Sequence, residues 1–431
     1  MPKASSALPR ITQRLLIRTI FLLIAVGVLF TTYRFFENQK NDFNFGSSSA
    51  SGVLAATRTS GQGSEAVLIE QDGSIKGTDS YKSGVTDRDL VWRPDGRFLF
   101  FMSDRSGGTY RVFRWNPDQT DAEIRTVGAR GRSSPTFPND DPTDADNHML
   151  IISGGSVESL DPKTEQSPQL LPPSTSTITE GSADDEQGGS EALFEALYGK
   201  LGTSFSYARW CKGDRYIAAI MDRDGGQVLV LQDMTPKDGK LPKIIPVVAG
   251  DHVQFDISPK DGSVVFIVQG FQWPDLDNIP PAFVKGNHIT TPFRNLIGFF
   301  DPDQKGVQPI AASVDDKVCF GSPAVSPDGS MVVATSGTYD QSSASLTPKF
   351  LISFPVQRAA GQAATRILPG EVYEPSWSPD GKLIAFAMRA NGKRDIYTVH
   401  PDGSSQINLT GGKGEFGNPK FNPQLKAAPT Q

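Results

Sequence analysis

Short apolar stretches broken by Gly, Pro, Asp and Asn recur from residue 53 to residue 423, and their alternation of apolar and polar positions predicts β-strands joined by tight turns. The clearest stretch is EPSWSPDGKLIAFAMRANGKRDIYTVHPDGSSQINLT, residues 374–410. It reads as a strand ending at Trp377, a Ser-Pro-Asp-Gly corner at 378–381, the strand LIAFAM and a turn at Asn391 and Gly392. The strand DIYTV, a Pro-Asp-Gly turn at 401–403 and a last strand ending in Leu409 and Thr410 follow. That is one four-stranded antiparallel meander.

Each part of the corner has a physical reason. Pro379 fixes its own φ, Asp380 accepts hydrogen bonds from the turn backbone, and Gly381 takes a left-handed conformation that a β-carbon resists. Equivalent corners stand at RPDG (93–96), at the expanded FPNDDPTDADN (137–147), at WCKGD (210–214), at SPKDG (258–262) and at SPDG (326–329). Asp95, Gly96, Asp261, Gly262, Asp328, Gly329, Asp380 and Gly381 are therefore predicted to hold turns, because a carboxylate that recurs once per unit serves the unit and not a single reaction. Trp92, Trp210 and Trp377 fall at or just before corners in register and are predicted to be core.

The two ends of the repeat region complement each other. GNPKFNP (417–423) matches the incoming strand EPSWSP, while SGVLAATRTSGQGSEAVLIEQDGSI (51–75) reads like the remainder of a unit without its first strand. The pattern predicts an all-β chain in which the N- and C-terminal strands share one blade and close a ring, a β-propeller over residues 53–423. Closure removes the exposed sheet edges that a linear array would leave. Counting the composite unit gives seven blades, with six as the alternative. Gly and Pro, 74 of 431 residues, fit a chain of many turns and argue against a helical bundle.

These copies resemble the repeats of the TolB-like, WD-repeat-like family of β-propellers, whose units carry the same strand, S-P-D-G corner, I-A-F strand, I-Y-V strand and closing L-T. Residues 375–410 match almost position for position, and 91–127, with WRPDGRFLFFMSDRSGGTYRVFRW, nearly as closely; the other copies are degenerate. The resemblance implies a propeller and, through the periplasmic TolB proteins, binding of lipoproteins and other envelope proteins. Similar repeats also form accessory domains of serine peptidases. The TolB proteins carry a cleaved signal and an additional α/β domain, whereas here an apolar segment and a short tether precede the first strand.

That segment, TIFLLIAVGVLFTTY (Thr19–Tyr33), has no charge, and Leu15, Leu16 and Ile17 extend it past Arg18. A bilayer takes about 20 residues; Arg18 and Arg34 reach the interfaces and Tyr33, Phe35 and Phe36 suit the aromatic belt, so a transmembrane helix is predicted over 15–33. The alternative, a cleaved secretory signal, needs small residues where Tyr33, Arg34, Phe35 and Phe36 stand. Lys3, Arg10, Arg14 and Arg18 precede the core, which puts residues 1–14 in the cytoplasm and the propeller outside it. Residues 34–52 read as a flexible linker and 424–431 as a tail.

Residues 1–40 carry six Lys or Arg against Glu37, so residues 41–431 carry −11 of the formal net charge of −6. Nucleic acid and anionic lipid are therefore not the expected partners of this acidic part. No G-x-S-x-G elbow, H-E-x-x-H helix, Walker A loop or G-x-G-x-x-G fingerprint occurs. His148, His252, His288 and His400 are scattered, and two cysteines, Cys211 and Cys319, give neither a disulfide framework nor a Cys-based zinc site.

Asp140, Asp141, Asp144 and Asp146 lack the turn Gly of a calcium loop and read as solvated. In EALFEALYGKLG, Leu193, Leu197 and Leu201 form a helical stripe beside Phe194, a candidate partner-docking face unless it packs back on the ring. No catalytic residue, cofactor or metal is predicted. The expected function is a monomeric, membrane-anchored, extracytoplasmic scaffold for an envelope or membrane protein. The rivals are a propeller hydrolase or lyase with carboxylates at the axial funnel, and a ligand-binding sensor.

Overall fold

A four-stranded meander alone leaves two edges and two faces open, so stability requires each to pack on the next. The computed structural model describes residues 54–424 apart from 71–72, 79–83, 118–124, 128–131, 138–148, 162–165, 173–203, 236–243, 276–278, 287, 341–344 and 358–363. The segments at 1–14, 15–33 and 34–52, the acidic cluster Asp140–Asp146 and the stripe of Leu193, Phe194, Leu197 and Leu201 lie outside the described residues. Among the described residues the elements are strands, with 3-10 turns at Gly213–Arg215 and Pro281–Phe283, and no helix is long and apolar enough to cross a membrane.

Four antiparallel meanders follow the chain order. One is Asp87–Trp92, Leu99–Ser103, Arg111–Trp115 and Arg125–Val127. The next is Arg132–Thr136, Met149–Ser153, Ser156–Leu160 and Gln169–Leu171. Two more run through Cys319–Val325, Met331–Asp340, Ser345–Pro355 and Thr365–Pro369, then Val372–Trp377, Ile384–Ala390, Lys393–Val399 and Ile407–Asn408. In this last sheet the final strand stops before Leu409. Thr410 instead turns inward, fully buried, and donates to Asp395 Oδ1 at 2.6 Å.

The chain ends meet in a fifth sheet, ordered Glu415–Phe421, Leu54–Ser60, Gly63–Ile69 and Ile75–Gly77. Leu54 faces Phe421 and Arg58 faces Phe416 in antiparallel register. The sixth sheet has seven strands: Ser204–Cys211, Tyr216–Arg223, Gly226–Asp233, Ile244–Ile257, Val264–Gln272, Asn295–Asp301 and Gln304–Ser313. Its fourth strand does double duty. Residues 244–250 pair with Gly226–Asp233, while 249–257 pair with Val264–Gln272, so one strand ends one meander and begins the next.

Neighbouring sheets pack face to face around the whole circuit, and the last meander packs on Glu415–Phe421, which returns to the first. The core is correspondingly a series of seams. Leu68, Trp92, Phe101 and Trp115 fill one, Ile152, Trp210 and Ile217 another, and Val333, Val372 and Phe386 a third. Trp92 and Trp210 are buried, whereas Trp377 is only partly buried, its ring bordering the central cavity and its Nε1 donating to the Ala324 carbonyl of the preceding sheet at 3.0 Å. Trp92 does the same to the Lys420 carbonyl at 3.0 Å.

At the corners, Gly96, Gly262, Gly329 and Gly381 have φ of 70°, 66°, 68° and 71°, and each amide closes the turn onto the carbonyl of the corner's first residue. Space matters as much as φ at Gly262, where an added Cβ would stand 2.3 Å from the Lys212 amide of the preceding corner. A Cβ at Gly329 would likewise stand 2.8 Å from the Ser258 hydroxyl of the preceding sheet, so successive corners touch one another. The Asp95, Asp261, Asp328 and Asp380 carboxylates accept the amide two residues on, at 3.0, 3.1, 3.0 and 3.2 Å.

At Asp261 and Asp328 these bonds favour the ionised acid. Hydroxyl and amide donors, first Ser326 and then Ser330, hold the Asp328 carboxyl down to about 2. Burial pushes the Asp261 carboxyl up, but donation from Ser263 outweighs it and the net direction is down. A carboxyl whose folded pKa lies below its unfolded value stabilises fully above the unfolded pKa and loses that contribution as pH falls toward the folded one. Stability should therefore drop between roughly pH 4 and pH 2. Asp328→Asn should be destabilised at pH 6 by about 1 kcal/mol or less, since the group is exposed and screened, with the gap to wild type closing by pH 2. Denaturant midpoints measured across that range check it, and a gap independent of pH would contradict the turn role.

Candidate functional site at the ring axis

The first strand of every meander faces the same cavity, of about 710 Å³. Its wall is built from Asp87–Trp92, Arg132–Thr136, Ser204–Cys211, the end of Ile244–Ile257, Cys319–Val325, Val372–Trp377 and Glu415–Phe421, with prolines such as Pro94, Pro327, Pro379 and Pro423 at the corners. A sequence unit that puts its aromatic just before the corner necessarily puts a second column, one residue earlier, on the opposite face of the strand. That column holds Val91, Thr136, Arg209, Asp256, Ala324, Ser376 and Lys420, all lining the cavity.

Two residues further back, most of these strands carry a bulge. Asp89, Ser322, Glu374 and Asn418 stand there with φ of 54°, 51°, 52° and 51°, a left-handed conformation uncommon outside glycine. Something must hold it. The Ser322 amide donates to Gln254 Oε1 at 2.6 Å, and the Asn418 amide donates to Glu374 Oε2, so a side chain of one sheet secures the bulge amide of the next. One column further on, the Val325 amide donates to Asp256 Oδ2 at 2.8 Å. Polar side chains at the axis thus act first as latches between sheets.

Charge gathers in the cavity. Arg209 pairs with Asp256; Asp89, Tyr207 and Lys420 line the same cavity, and Glu374 lies within electrostatic reach of Lys420. Burial pushes the Tyr207 phenol up, and the Asp256 and Asp89 carboxylates add to this against the opposing pull of Arg209. Burial likewise pulls the Lys420 amine down, with Asp256 and Glu374 partly offsetting it. The arrangement offers an amine, a guanidinium, a phenol and two carboxylates within one cavity, enough to bind a polar group.

None of these axial residues is among the turn positions predicted from the sequence. The signal for Arg209, Asp256 and Lys420 is the column one residue before the corner aromatic, which varies in charge from unit to unit and so marks a position that the fold does not prescribe. The predicted turn residues surround one end of the cavity and do not converge on it. His252 lies in the shared strand, where burial pushes its imidazole down, His288 sits on an exposed hairpin and His400 in a turn. Cys211 and Cys319 are both buried, and burial pushes the Cys319 thiol up to about 11. Among the described residues no three His, Cys, Asp or Glu side chains are grouped to hold a metal ion.

No protein-family model matches the sequence, and no curated protein matches it. Solved structures are similar to it. TolB from Acinetobacter baumannii is 11% identical over 86% of this chain and 82% of its own, with a TM-score of 0.41. An oligogalacturonate lyase in complex with manganese is 12% identical over 84% and 86%, with a TM-score of 0.49. The Cps50 (Swd1) β-propeller domain of Myceliophteria thermophila is 12% identical over 78% and 90%, with a TM-score of 0.47. The chain is thus an all-β protein whose structural neighbours include TolB and WD-repeat propellers as well as an enzyme.

Proposed function

We propose that the chain is a membrane-anchored protein with a cytoplasmic N-terminus, whose residues 53–423 form a seven-bladed β-propeller outside the cytoplasm and serve as a non-catalytic scaffold for a protein partner. Seven blades follow when Ile244–Ile257 is read as the outer strand of one blade and the innermost strand of the next. The observation that carries the scaffold reading is the engagement of the axial polar groups by the ring itself. Asp256 accepts from Arg209 and the Val325 amide, and Glu374 accepts from the Asn418 amide. Groups fixed in this way stiffen a binding face.

A second reading, a hydrolase or lyase, is favoured by the convergence of Asp89 and Asp256 with Lys420. The test separates them. Cross-linking in intact membranes with the anchor retained should give one defined envelope or membrane protein, through a photoreactive group at the cavity mouth. Turnover of an oligosaccharide or peptide library by the purified chain, abolished in Lys420→Met, would overturn the scaffold in favour of the enzyme.

A further inference from the structure

Among the described residues, the large hydrophobics left more than a third exposed are Val284, Ile289, Val307, Val314 and Val318, all within one stretch of the chain. Four of them stand at one end of the ring. Val284 faces Ile289 across the hairpin Val284–Lys285/His288–Ile289, inserted between two strands of the seven-stranded sheet, and Val314 and Val318 bound the neighbouring connector. The Arg294 amide donates to the Ser313 carbonyl at 2.7 Å and its Nε to Asp316 at 3.1 Å, which ties the two loops together. The turn-forming corners lie at the opposite end, since alternate connections of a meander emerge on opposite edges.

The hairpin is built to stand up. Phe271, Trp273, Phe283 and Phe293 pack edge to face or tilted beneath it, with ring centroids 5.3 to 5.7 Å apart. The Trp273 Nε1 donates to the Thr290 carbonyl at 3.0 Å, and the Thr290 amide to the Phe283 carbonyl at 2.9 Å. This aromatic base takes in Phe283 and leaves Pro280, Pro281, Ala282, Val284 and Ile289 outside. Exposed aliphatic surface on a braced projection marks a contact.

The chemistry of the tip identifies what it meets. From Ile279 to Arg294 there is no acidic residue, and Lys285 and His288 flank the turn, within a part of the chain that carries −11 overall. The neighbouring connector carries Asp315 and Asp316, which face Lys317 at 4.0 Å and Arg294 at 3.1 Å, so the basic character belongs to the hairpin. Aliphatic side chains beside isolated basic groups suit the boundary between acyl chains and anionic headgroups. We propose that this hairpin dips into the surface of a lipid bilayer and sets the tilt of the propeller against it. The proposal goes beyond the scaffold and rests on the reading of residues 15–33 as an anchor.

The test uses the full chain reconstituted in vesicles of phosphatidylcholine and phosphatidylglycerol, with anchoring followed separately by flotation. The buried native thiols leave an environment-sensitive fluorophore to react at Ile289→Cys or, at the opposite end, at Lys382→Cys. The Ile289 label should shift to the blue and be quenched by doxyl-bearing lipid, while the Lys382 label is not. Adding Val284→Asp should abolish the quenching with flotation unchanged. Equal quenching of the two labels in chains that float overturns the contact and leaves the anchor standing; failure to float overturns both. A shift that follows protein density instead of lipid assigns the patch to a second copy and overturns the proposal as well.

Discussion

Deletion of residues 415–431 is expected to leave a chain without a cooperative unfolding transition. The deleted strand supplies the innermost strand of its sheet, pairing with Leu54–Ser60 on one side and packing on the last meander on the other. Phe416 and Phe421 are buried, and losing each forfeits about 1.5–3 kcal/mol of apolar burial. The ladder bonds add about 0.5–1.5 kcal/mol apiece. Together these approach the whole stability of an ordinary domain, about 5–15 kcal/mol.

The deletion also opens Leu54–Ser60 as a sheet edge, so aggregation should accompany unfolding. Circular dichroism melts and size-exclusion profiles of the two chains make the comparison. A truncated chain that melts sharply near the wild-type temperature would show that the ring does not depend on its closing strand.

The second large effect belongs to Asp256→Ala. Arg209 and Asp256, from the first and fourth strands of the seven-stranded sheet, pair at the axis with side chains only 18% and 20% exposed. Breaking a buried pair by removing one partner is destabilising by about 3–5 kcal/mol, because the surviving charge has lost its counter-charge but not its burial. The Val325 amide also loses its acceptor. Access of water to the cavity lowers the figure, and about 2–4 kcal/mol is expected. Arg209→Leu combined with Asp256→Leu should recover part of the loss by removing both charges, leaving only the Val325 amide to be answered for. Denaturant unfolding of the single and double variants measures this. A loss below about 0.5 kcal/mol in Asp256→Ala would mean that the latch makes no contribution.

Much of the architecture was legible because it is local. A Ser-Pro-Asp-Gly corner combines a fixed φ, a backbone-capping carboxylate and a left-handed glycine within four residues, so Gly262, Gly329 and Gly381 could be placed from their neighbours alone. Pairing of the chain ends was legible for a related reason. Residues 417–423 carried the pattern of an incoming strand and residues 51–75 the pattern of the strands that follow it, and the two meet with Leu54 opposite Phe421. The shared strand escaped notice. Nothing in IIPVVAGDHVQFDI distinguishes one long strand from two short ones joined by a turn at Gly250, since Gly250 and Asp251 are ordinary turn residues.

The sequence by itself determined that this chain is a repeat of strand and turn, acidic beyond residue 40, and that its two ends are halves of one unit, because periodicity, turn chemistry and charge are properties of neighbours along the chain. Only the tertiary structure decided what occupies the axis. Asp89, Arg209, Asp256 and Lys420 come from four different strands, and their proximity follows from the closing of the ring and not from any spacing between them. The same holds for the exposed end. Val284 and Val318 reach the same end of the ring, where Arg294 ties the bases of their loops together, a contact that no local pattern encodes.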